Sequence, residues 1–243
     1  MHRLITGASS GIGSALVSRW ARPGTLLSLQ GRDQDRLSQV AGQARAKGAE
    51  VDLIQLDIRD TEAVRRWVEE RDDWLAVDMV VANAGIAGNP GVRASDIMAV
   101  NAVGKIATVE PLLPRMRARR KGHVVLVSSL ASFMASPTGP AYAASKVAVR
   151  RYGEGLRPRL ALDGVALSVV CPGFVDTPLT RVNRFKMPFL MDAERAARII
   201  DAGLEARRAR IAFPLPTYLL ARLTGSLPAA LRNAILMRQT PKE

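Results

Sequence analysis

A tyrosine and a lysine stand four positions apart, Tyr142 and Lys146, in a stretch that predicts a helix continuing through Tyr152. This spacing brings both side chains to one helix face. A tyrosine has a pKa of about 10, and an adjacent cation lowers such a value, so the pair could move a proton near neutral pH. Ser129 follows an apolar run and could hold a substrate oxygen. Taken alone, a Tyr-x-x-x-Lys pair is more often solvated helix surface than a catalytic pair.

A glycine-rich turn, TGASSGIG at residues 6–13, lies between a short apolar run and an apolar helix pattern. Glycines allow the backbone to turn tightly and to approach a pyrophosphate, whose charge then meets the free amides at the start of the helix. The position between a strand and a helix makes the motif more specific than a glycine-rich loop alone. The turn therefore predicts a dinucleotide site.

Arg32 stands at the end of the second predicted strand, where an NAD-binding protein usually places a carboxylate for the ribose hydroxyls. An arginine suits a 2′-phosphate instead, and Ser9 could add a hydroxyl contact to that phosphate. These residues predict NADP(H) as the cofactor. The alternative is that Arg32 is one more solvated arginine in an arginine-rich chain.

The elements that must position these residues alternate along the chain. Short apolar runs, from Leu4-Ile5 to Ile211-Ala212-Phe213, predict about seven strands, and helical stretches such as Asp33 to Lys47 and Asp60 to Arg71 lie between them. This alternation is typical of an α/β fold with one doubly wound parallel sheet of the Rossmann type and helices on both faces. Since no linker is evident, we expect a single dinucleotide-binding and catalytic domain over residues 1–243.

The motifs together occur in the order and spacing of the short-chain dehydrogenase/reductase family, classical type, which the chain resembles from residue 3 to about 180. The resemblance implies that Ser129, Tyr142 and Lys146 are catalytic and that Asn101 joins them through a water-linked proton relay. A buried helix asparagine is the alternative for Asn101. The resemblance also implies pairing of subunits, as a homodimer or homotetramer, through the helix of Tyr142, where Pro158 could introduce a kink.

The cofactor contacts that the turn, Arg32 and the resemblance predict fall into five segments along the chain. They are Gly7, Ser9, Ser10, Gly11, Ile12 and Gly13; Arg32; Asp57 and Ile58; Asn83, Ala84 and Gly85; and Tyr142, Lys146, Pro172, Gly173, Val175 and Thr177. Asp57 and Ile58 resemble the pair that borders the adenine; the alternative is that Asp57 only closes its strand. Asn83 resembles the residue that supports the sheet, and Thr177 the residue that holds the nicotinamide carboxamide.

Composition limits the other function classes. The single cysteine, Cys171, excludes an intrachain disulfide, and the absence of a signal-peptide pattern or a long apolar stretch leads us to expect a cytoplasmic protein. The two histidines stand outside any metal-ligand spacing and any hydrolytic motif, so no metal is expected. The net charge of +13 favours anionic partners, but no nucleic-acid-binding motif accompanies it, and we expect no nucleic-acid partner.

A substrate lid is expected from Leu179 to Met191. The candidate pocket residues are apolar: Phe133, Met134, Phe174, Phe185, Met187, Phe189, Leu190 and Met191. They predict a hydrophobic carbonyl substrate, such as a ketone or 3-oxoacyl group, although the same side chains could simply pack a lid onto the core. A lipid-linked or carrier-bound substrate and a non-catalytic NADPH sensor are the alternative functions.

The C-terminal segment, residues 214–243, is basic and amphipathic. From Pro216 to Arg238 the pattern predicts two short helices with leucines on one face, interrupted at Gly225 and Pro228. One interpretation is peripheral contact with an anionic membrane, and the other is packing of the leucines on the enzyme's own lid or a second subunit.

Overall fold

The computed structural model describes residues 1–88, 91–183 and 186–237. Seven parallel strands form one sheet in the order β3-β2-β1-β4-β5-β6-β7. Their bounds are His2–Thr6 (β1), Leu26–Gly31 (β2), Glu50–Gln55 (β3), Met79–Ala82 (β4), His123–Val127 (β5), Ala166–Pro172 (β6) and Arg210–Phe213 (β7). The prediction of a seven-stranded Rossmann-type sheet is confirmed. The strand order reverses between β1 and β4, which opens a crevice at the carboxyl ends of these strands.

Helices cover both faces of the sheet. They are α1 (Gly11–Trp20), α2 (Gln34–Ala46), α3 (Thr61–Trp74), α4 (Ala94–Met98), α5 (Gly104–Val109), α6 (Leu112–Ala118), α7 (Pro140–Leu162), α8 (Ala193–Glu205), α9 (Leu215–Ser226) and α10 (Ala229–Met237). A π-helical turn at Ala99–Val103 joins α4 to α5, and a 3₁₀ helix at Leu130–Phe133 follows β5. One apolar core lies under α1, α2 and α8, and the other lies under α3, α5, α6 and α7.

Local sequence explains where the predicted helices begin. The Asp33 carboxylate accepts a hydrogen bond from the Arg36 amide and caps α2, and Asp60 caps α3 in the same way through Ala63. The predicted end of α3 at Arg71 is three residues short, because the helix continues to Trp74. Pro158 lies inside α7, which continues to Leu162.

The C-terminal helices differ from the prediction at one residue. Gly225 does not interrupt the first helix; it lies within α9, and the break comes at Leu227 and Pro228. A Cβ at Gly225 would stand 1.7 Å from the Phe133 carbonyl oxygen, so glycine allows α9 to pack directly on the 3₁₀ helix. Arg238 lies outside the described residues. Within the described ranges, no helix combines the length and apolar character needed to cross a bilayer.

Candidate active site

The glycine-rich turn connects β1 to α1 at the crevice. A Cβ on Gly13 would lie 2.1 Å from the Gly7 carbonyl oxygen, so only glycine allows the start of α1 to approach the turn this closely. The Asn83 side-chain amide donates to the carbonyl oxygens of Thr6 and Gly7, at 3.1 and 3.0 Å. Asn83 therefore ties the end of β4 to the turn and holds the first amides of α1 towards the crevice.

Arg32 follows β2 at the rim of the same crevice. Its side chain is exposed, and it forms no salt bridge with the described residues. The next residue, Asp33, is engaged by the Arg36 amide at 3.0 Å and by Arg36 Nε at 2.7 Å, and these hydrogen bonds lower the pKa of Asp33. Ser9 lies against Gly31, 3.2 Å from the position of a Cβ there. The rim therefore presents Arg32 beside a hydroxyl, with Asp33 turned towards its own helix.

Tyr142 and Lys146 lie in the first two turns of α7. Lys146 is almost fully buried, and its Nζ lies 5.2 Å from the centroid of the Tyr142 ring. The Ser128 hydroxyl donates to the Lys146 carbonyl oxygen at 2.7 Å, which ties this turn of α7 to the end of β5. Helical spacing and this anchor together place the phenol and the ammonium at one site.

Ser129 caps the 3₁₀ helix that follows β5. Its hydroxyl accepts a hydrogen bond from the Ala131 amide at 3.1 Å and donates to the Pro172 carbonyl oxygen at 3.4 Å. Ser129 is therefore held between β5 and β6, with its hydroxyl at the crevice where Tyr142 also lies.

Asn101 is fully buried in the π-helical turn. Its Oδ1 accepts from the Ile86 amide at 2.8 Å, and its Nδ2 donates to the Ile86 carbonyl at 2.9 Å and to Ser145 Oγ at 3.1 Å. The side chain thus braces the segment after β4 against α7. A π-helical turn inside a helix often marks a functional site, and sequence patterning did not predict this one.

The crevice is a single cleft of about 430 Å³. Most of the predicted cofactor and catalytic residues line it: Gly7, Ser9, Ser10, Gly11, Ile12, Arg32, Ile58, Asn83, Ala84, Gly85, Ser129, Tyr142, Lys146, Pro172, Gly173, Val175 and Thr177. Gly13 and Asn101 are not among the lining residues. Asp57 also lies outside the lining. The Arg59 guanidinium engages the Asp57 carboxylate and lowers its pKa.

Several lining residues escaped sequence reasoning. Gln30 accepts from the Gly7 amide at 3.0 Å and supports the turn from β2, and Arg36 adds a second cation near Arg32. Pro178, Leu179 and Thr180 close the cleft on the β6 side. Arg36 could have been found, since it lies in the first turn of α2, four residues after Arg32.

The predicted apolar wall is placed differently. Phe133 and Met134 do not line the cleft; they line a separate cavity of about 490 Å³ between α7 and α10. The Phe133 ring packs edge-on against Tyr218 of α9, with centroids 5.2 Å apart. The cause is the packing of α9 on the 3₁₀ helix, which draws this side chain away from Ser129.

The predicted lid forms turns where the structure describes it, at 179–183 and 186–191. Met191 is buried and pairs with Val175 in an isolated bridge, whereas Phe189 and Leu190 are exposed. Phe174 and Met187 are also absent from the cleft lining. Phe185 lies outside the described residues. Met191 therefore packs onto the core, as the alternative prediction for the lid residues has it. Apolar residues such as Ile86 and Leu179 form the apolar wall of the cleft.

The cleft fits a dinucleotide. The amino end of α1 opens on it without a side-chain cap at Ser10, so its dipole and free amides face the space where a pyrophosphate would lie. Ser129, Tyr142 and Lys146 line the same cleft. The arrangement can place a nicotinamide ring and a proton-transfer group on one substrate carbon and its oxygen.

Comparison with known proteins agrees with this geometry. The family model described as short chain dehydrogenase matches residues 2–187. An uncharacterized oxidoreductase of Myxococcus xanthus is 36% identical, with 97% of this chain and 96% of that protein covered. The 1-deoxy-11-beta-hydroxypentalenate dehydrogenase of Streptomyces exfoliatus is 35% identical, with 73% of this chain and 68% of that protein covered.

A solved structure is similar over almost the whole chain. It is a short-chain dehydrogenase from Sphingobium yanoikuyae in complex with NADPH, with a TM-score of 0.81, 26% identity, and 99% of this chain and 96% of that chain covered. The sequence match, the seven-stranded parallel sheet and the cleft agree with one another. The chain belongs to the classical short-chain dehydrogenase/reductase family and is an oxidoreductase of the kind that uses a nicotinamide cofactor.

Proposed function

We propose that the protein is an NADPH-dependent reductase of hydrophobic ketones, working reversibly on the corresponding secondary alcohols. The observation that carries the proposal is that Ser129, Tyr142 and Lys146 line the same cleft as the glycine-rich turn and Arg32. A proton-transfer pair, a hydroxyl for the substrate oxygen and a phosphate-binding rim thus face one space.

The side chains divide the work as follows. The Tyr142 hydroxyl gives a proton to the substrate oxygen during reduction and takes it back during oxidation, while Ser129 Oγ holds that oxygen. Lys146 lies beside the phenol and would contact the ribose of a bound nicotinamide cofactor, and Thr177 would hold its carboxamide. The nicotinamide, when bound, supplies or accepts the hydride. Asn101 supports the site by fixing the segment after β4 to α7.

Preference for NADPH follows from the rim. Arg32 and Arg36 offer guanidinium groups where a 2′-phosphate would lie, and Asp33, whose carboxylate would repel that phosphate, is engaged by Arg36. The similar Sphingobium yanoikuyae enzyme was solved with NADPH. The positive charge of the two arginines, with the Asp33 carboxylate already engaged by Arg36, therefore favours NADPH over NADH.

The substrate class follows from the described walls of the cleft and from one relative. Ile86, Val100 and Leu179 contribute apolar surface near the catalytic residues, and the related Streptomyces exfoliatus protein is named as a dehydrogenase of 1-deoxy-11-beta-hydroxypentalenate. We therefore favour ketones with bulky apolar groups. A 3-oxoacyl group, free or bound to a lipid or carrier, is the second substrate class.

The test is NADPH oxidation, followed by absorbance, against ketones of graded length and a 3-oxoacyl thioester, with NADH in parallel. Turnover of apolar ketones that requires Tyr142 supports the proposal. NADPH binding without turnover of any carbonyl would instead indicate a cofactor sensor and would contradict the enzyme assignment.

A peripheral membrane contact is a second, separate proposal, which the surface of α9 and α10 favours. Large apolar side chains on these helices are exposed: Leu215, Leu219, Leu220, Leu223, Leu231, Ile235 and Met237. The charged residues between 215 and 237 are Arg222 and Arg232, both basic. An apolar face with basic residues and no acidic residue suits an anionic bilayer.

Vesicle sedimentation tests this second proposal. Binding to anionic vesicles at low salt, lost at high salt and in a Leu219→Ser/Leu223→Ser variant, is the expected result. Leu162→Ser, an exposed leucine at the end of α7, is the matched control. Absence of binding at low salt, together with a dimer that the double variant dissociates, would show that a second subunit covers this face.

We also propose a homodimer or homotetramer paired through α7, whose Val147 and Arg151 are exposed. Light scattering of the intact protein measures the oligomeric state. The single domain over residues 1–243 and the cytoplasmic location stay predictions.

A further inference from the structure

A second lysine lies directly behind the candidate catalytic pair. Lys105 belongs to α5, immediately after the π-helical turn that carries Asn101, and its side chain is 0% exposed. Its Nζ donates a hydrogen bond to the carbonyl oxygen of Val127, the last residue of β5. The same Nζ contacts Lys146. Fully burying a lysine is costly unless the site uses it or pairs it, and the mechanism above does not use Lys105.

We propose that Lys105 is a positioning residue of the active site, whose amine accepts a hydrogen bond from the Lys146 ammonium and thereby fixes that cation beside Tyr142. The proposal rests on the proposed function for its kinetic consequence. Its structural part, a fully buried amine that donates to Val127 directly behind Lys146, stands on burial and the hydrogen bond from Lys105.

The charge state follows from the surroundings. Among the described residues no carboxylate forms a salt bridge with Lys105, and Lys146 is the charged group beside it. The elements β4 and α3 also pack on α5. Burial and the neighbouring Lys146 lower the pKa of Lys105 well below its usual value. Lys105 loses the proton because it is sealed in the core, whereas Lys146 opens on the cleft.

An uncharged amine suits this position. It has two N–H donors and one lone pair, so it can donate to Val127 and accept from Lys146 at the same time. The Lys146 ammonium then keeps two further donors for the cleft. Lys105 thus favours the charged form of Lys146, and a charged Lys146 favours the phenolate of the tyrosine beside it.

Lys105→Met tests the proposal because methionine has a similar shape and no amine. We expect the acidic limb of the kcat/KM–pH profile for alcohol oxidation to shift to higher pH by about one pH unit. At pH values below that limb, kcat/KM should fall about tenfold. The Kd for NADPH and the Tm should change little. Lys105→Gln keeps a donor and an acceptor, one bond shorter, and should return the limb towards its original position.

A limb that moves to lower pH or does not move overturns the proposal. An upward shift follows from the loss of either a charged or an uncharged amine, so the charge state of Lys105 is read from its nitrogen signal. An equal loss of activity at every pH together with a lowered Tm would indicate a structural role only, and would also overturn it.

A measurement without turnover separates this inference from the proposed function. The chain has six lysines, so the Lys105 Nζ signal in a spectrum of ¹⁵N-lysine-labelled protein is the one that Lys105→Met removes. We expect an uncharged amine at pH 7.5. An ammonium signal there overturns the inference even if ketones are reduced, and an amine signal upholds it even if the substrate class proves wrong.

Discussion

The parallel strands give the sheet an amino edge, where the strands begin, and a carboxyl edge, where they end. Both edges carry buried polar groups, but they use them differently. At the amino edge, His2 Nε2 lies 2.9 Å from Ser28 Oγ, and His123 Nε2 lies 2.9 Å from Ser168 Oγ, each on the neighbouring strand. Asp72 accepts from the Val77 amide at 2.8 Å and from Arg119 at 2.9 Å. These groups use one another as partners.

At the carboxyl edge, the backbone is braced while the side-chain ends of Tyr142, Lys146 and Arg32 face the cleft. Parallel strands point their carboxyl ends towards the amino ends of the following helices, so donors and positive dipole ends gather on this side alone. Polar groups with partners at the amino edge stabilise the fold, while the groups that face the cleft at the carboxyl edge are available to a ligand. Each variant below should affect one edge only.

Tyr142→Phe should have the largest effect, a loss of about 10²–10⁴ in kcat, because it removes the proton-transfer oxygen and keeps the ring. Cofactor affinity and Tm should be unchanged. Tyr152→Phe on the same helix is the control, since the Tyr152 hydroxyl binds Glu110 at 3.2 Å outside the cleft. Steady-state kinetics on a confirmed substrate make the measurement, and comparable kcat values for the two variants would contradict the assignment.

Asp72→Ala should lower the free energy of unfolding by about 3 kcal/mol, because it leaves Arg119 and the Val77 amide without their partner. Burial alone would raise the pKa of Asp72, but the hydrogen bonds from Arg119 and Val77 outweigh burial and lower it. The control is Asp73→Ala, an exposed neighbour that pairs with Arg115. Urea unfolding measures both, and kcat should stay at its original value. A loss of kcat in the folded Asp72→Ala variant would show that the polar groups of the amino edge also contribute to activity.

Arg32→Asp should weaken NADPH binding about ten- to hundredfold and remove or reverse the preference over NADH, since a charge-assisted contact to phosphate contributes about 1.5–3 kcal/mol. The exposed Arg22, at the other edge, provides the control variant Arg22→Asp. Fluorescence titration with both cofactors makes the measurement. Equal affinity of the unmutated protein for NADPH and NADH would show that the rim does not select the phosphate.

The smallest effect concerns pH. Burial and the nearby Arg207 lower the pKa of His123 to about 4. Because an unfolded histidine has a pKa of about 6.5, the uncharged state stabilises the fold above that value, and about 1.4 kcal/mol is lost by pH 5.5. Further loss follows as the pH falls towards 4.

Comparing urea unfolding at pH 7.5 and 5.5 for the unmutated protein and His123→Gln isolates this contribution, and the variant should show the smaller pH dependence. If the free energy of unfolding depended on pH equally in both proteins, His123 would not be held buried and uncharged in the folded protein.

Much of the fold could be predicted from local patterns. Apolar runs located the seven strands that the structure describes, because strands covered on both faces favour apolar sequence. The exception is β3 at the sheet edge, which carries polar residues and is only partly buried. Asp33 and Asp60 marked two helix starts because capping depends on neighbours three residues away. The turn at residues 6–13 and the Tyr142–Lys146 pair could also be predicted, since their chemistry depends on short spacings.

The remaining features depend on contacts between distant residues. Phe133 was misplaced as a cleft residue because nothing near it in sequence reveals that Gly225, in α9, packs on its carbonyl oxygen. Arg36, Gln30 and the π-helical turn around Asn101 acquire their places from neighbouring strands and helices. Lys105 carried no signal at all among 35 basic residues.

The strand and helix pattern, the phosphate-binding turn and the candidate catalytic residues follow from local sequence, because each depends on periodicity or on groups a few positions apart. Tertiary packing sets which side chains face the cleft and which brace it, places α9 over the segment after Ser129, and brings Lys105 beside Lys146. The physical reason is that burial and charge state are properties of the space between elements, and that space forms only when segments far apart in sequence pack together.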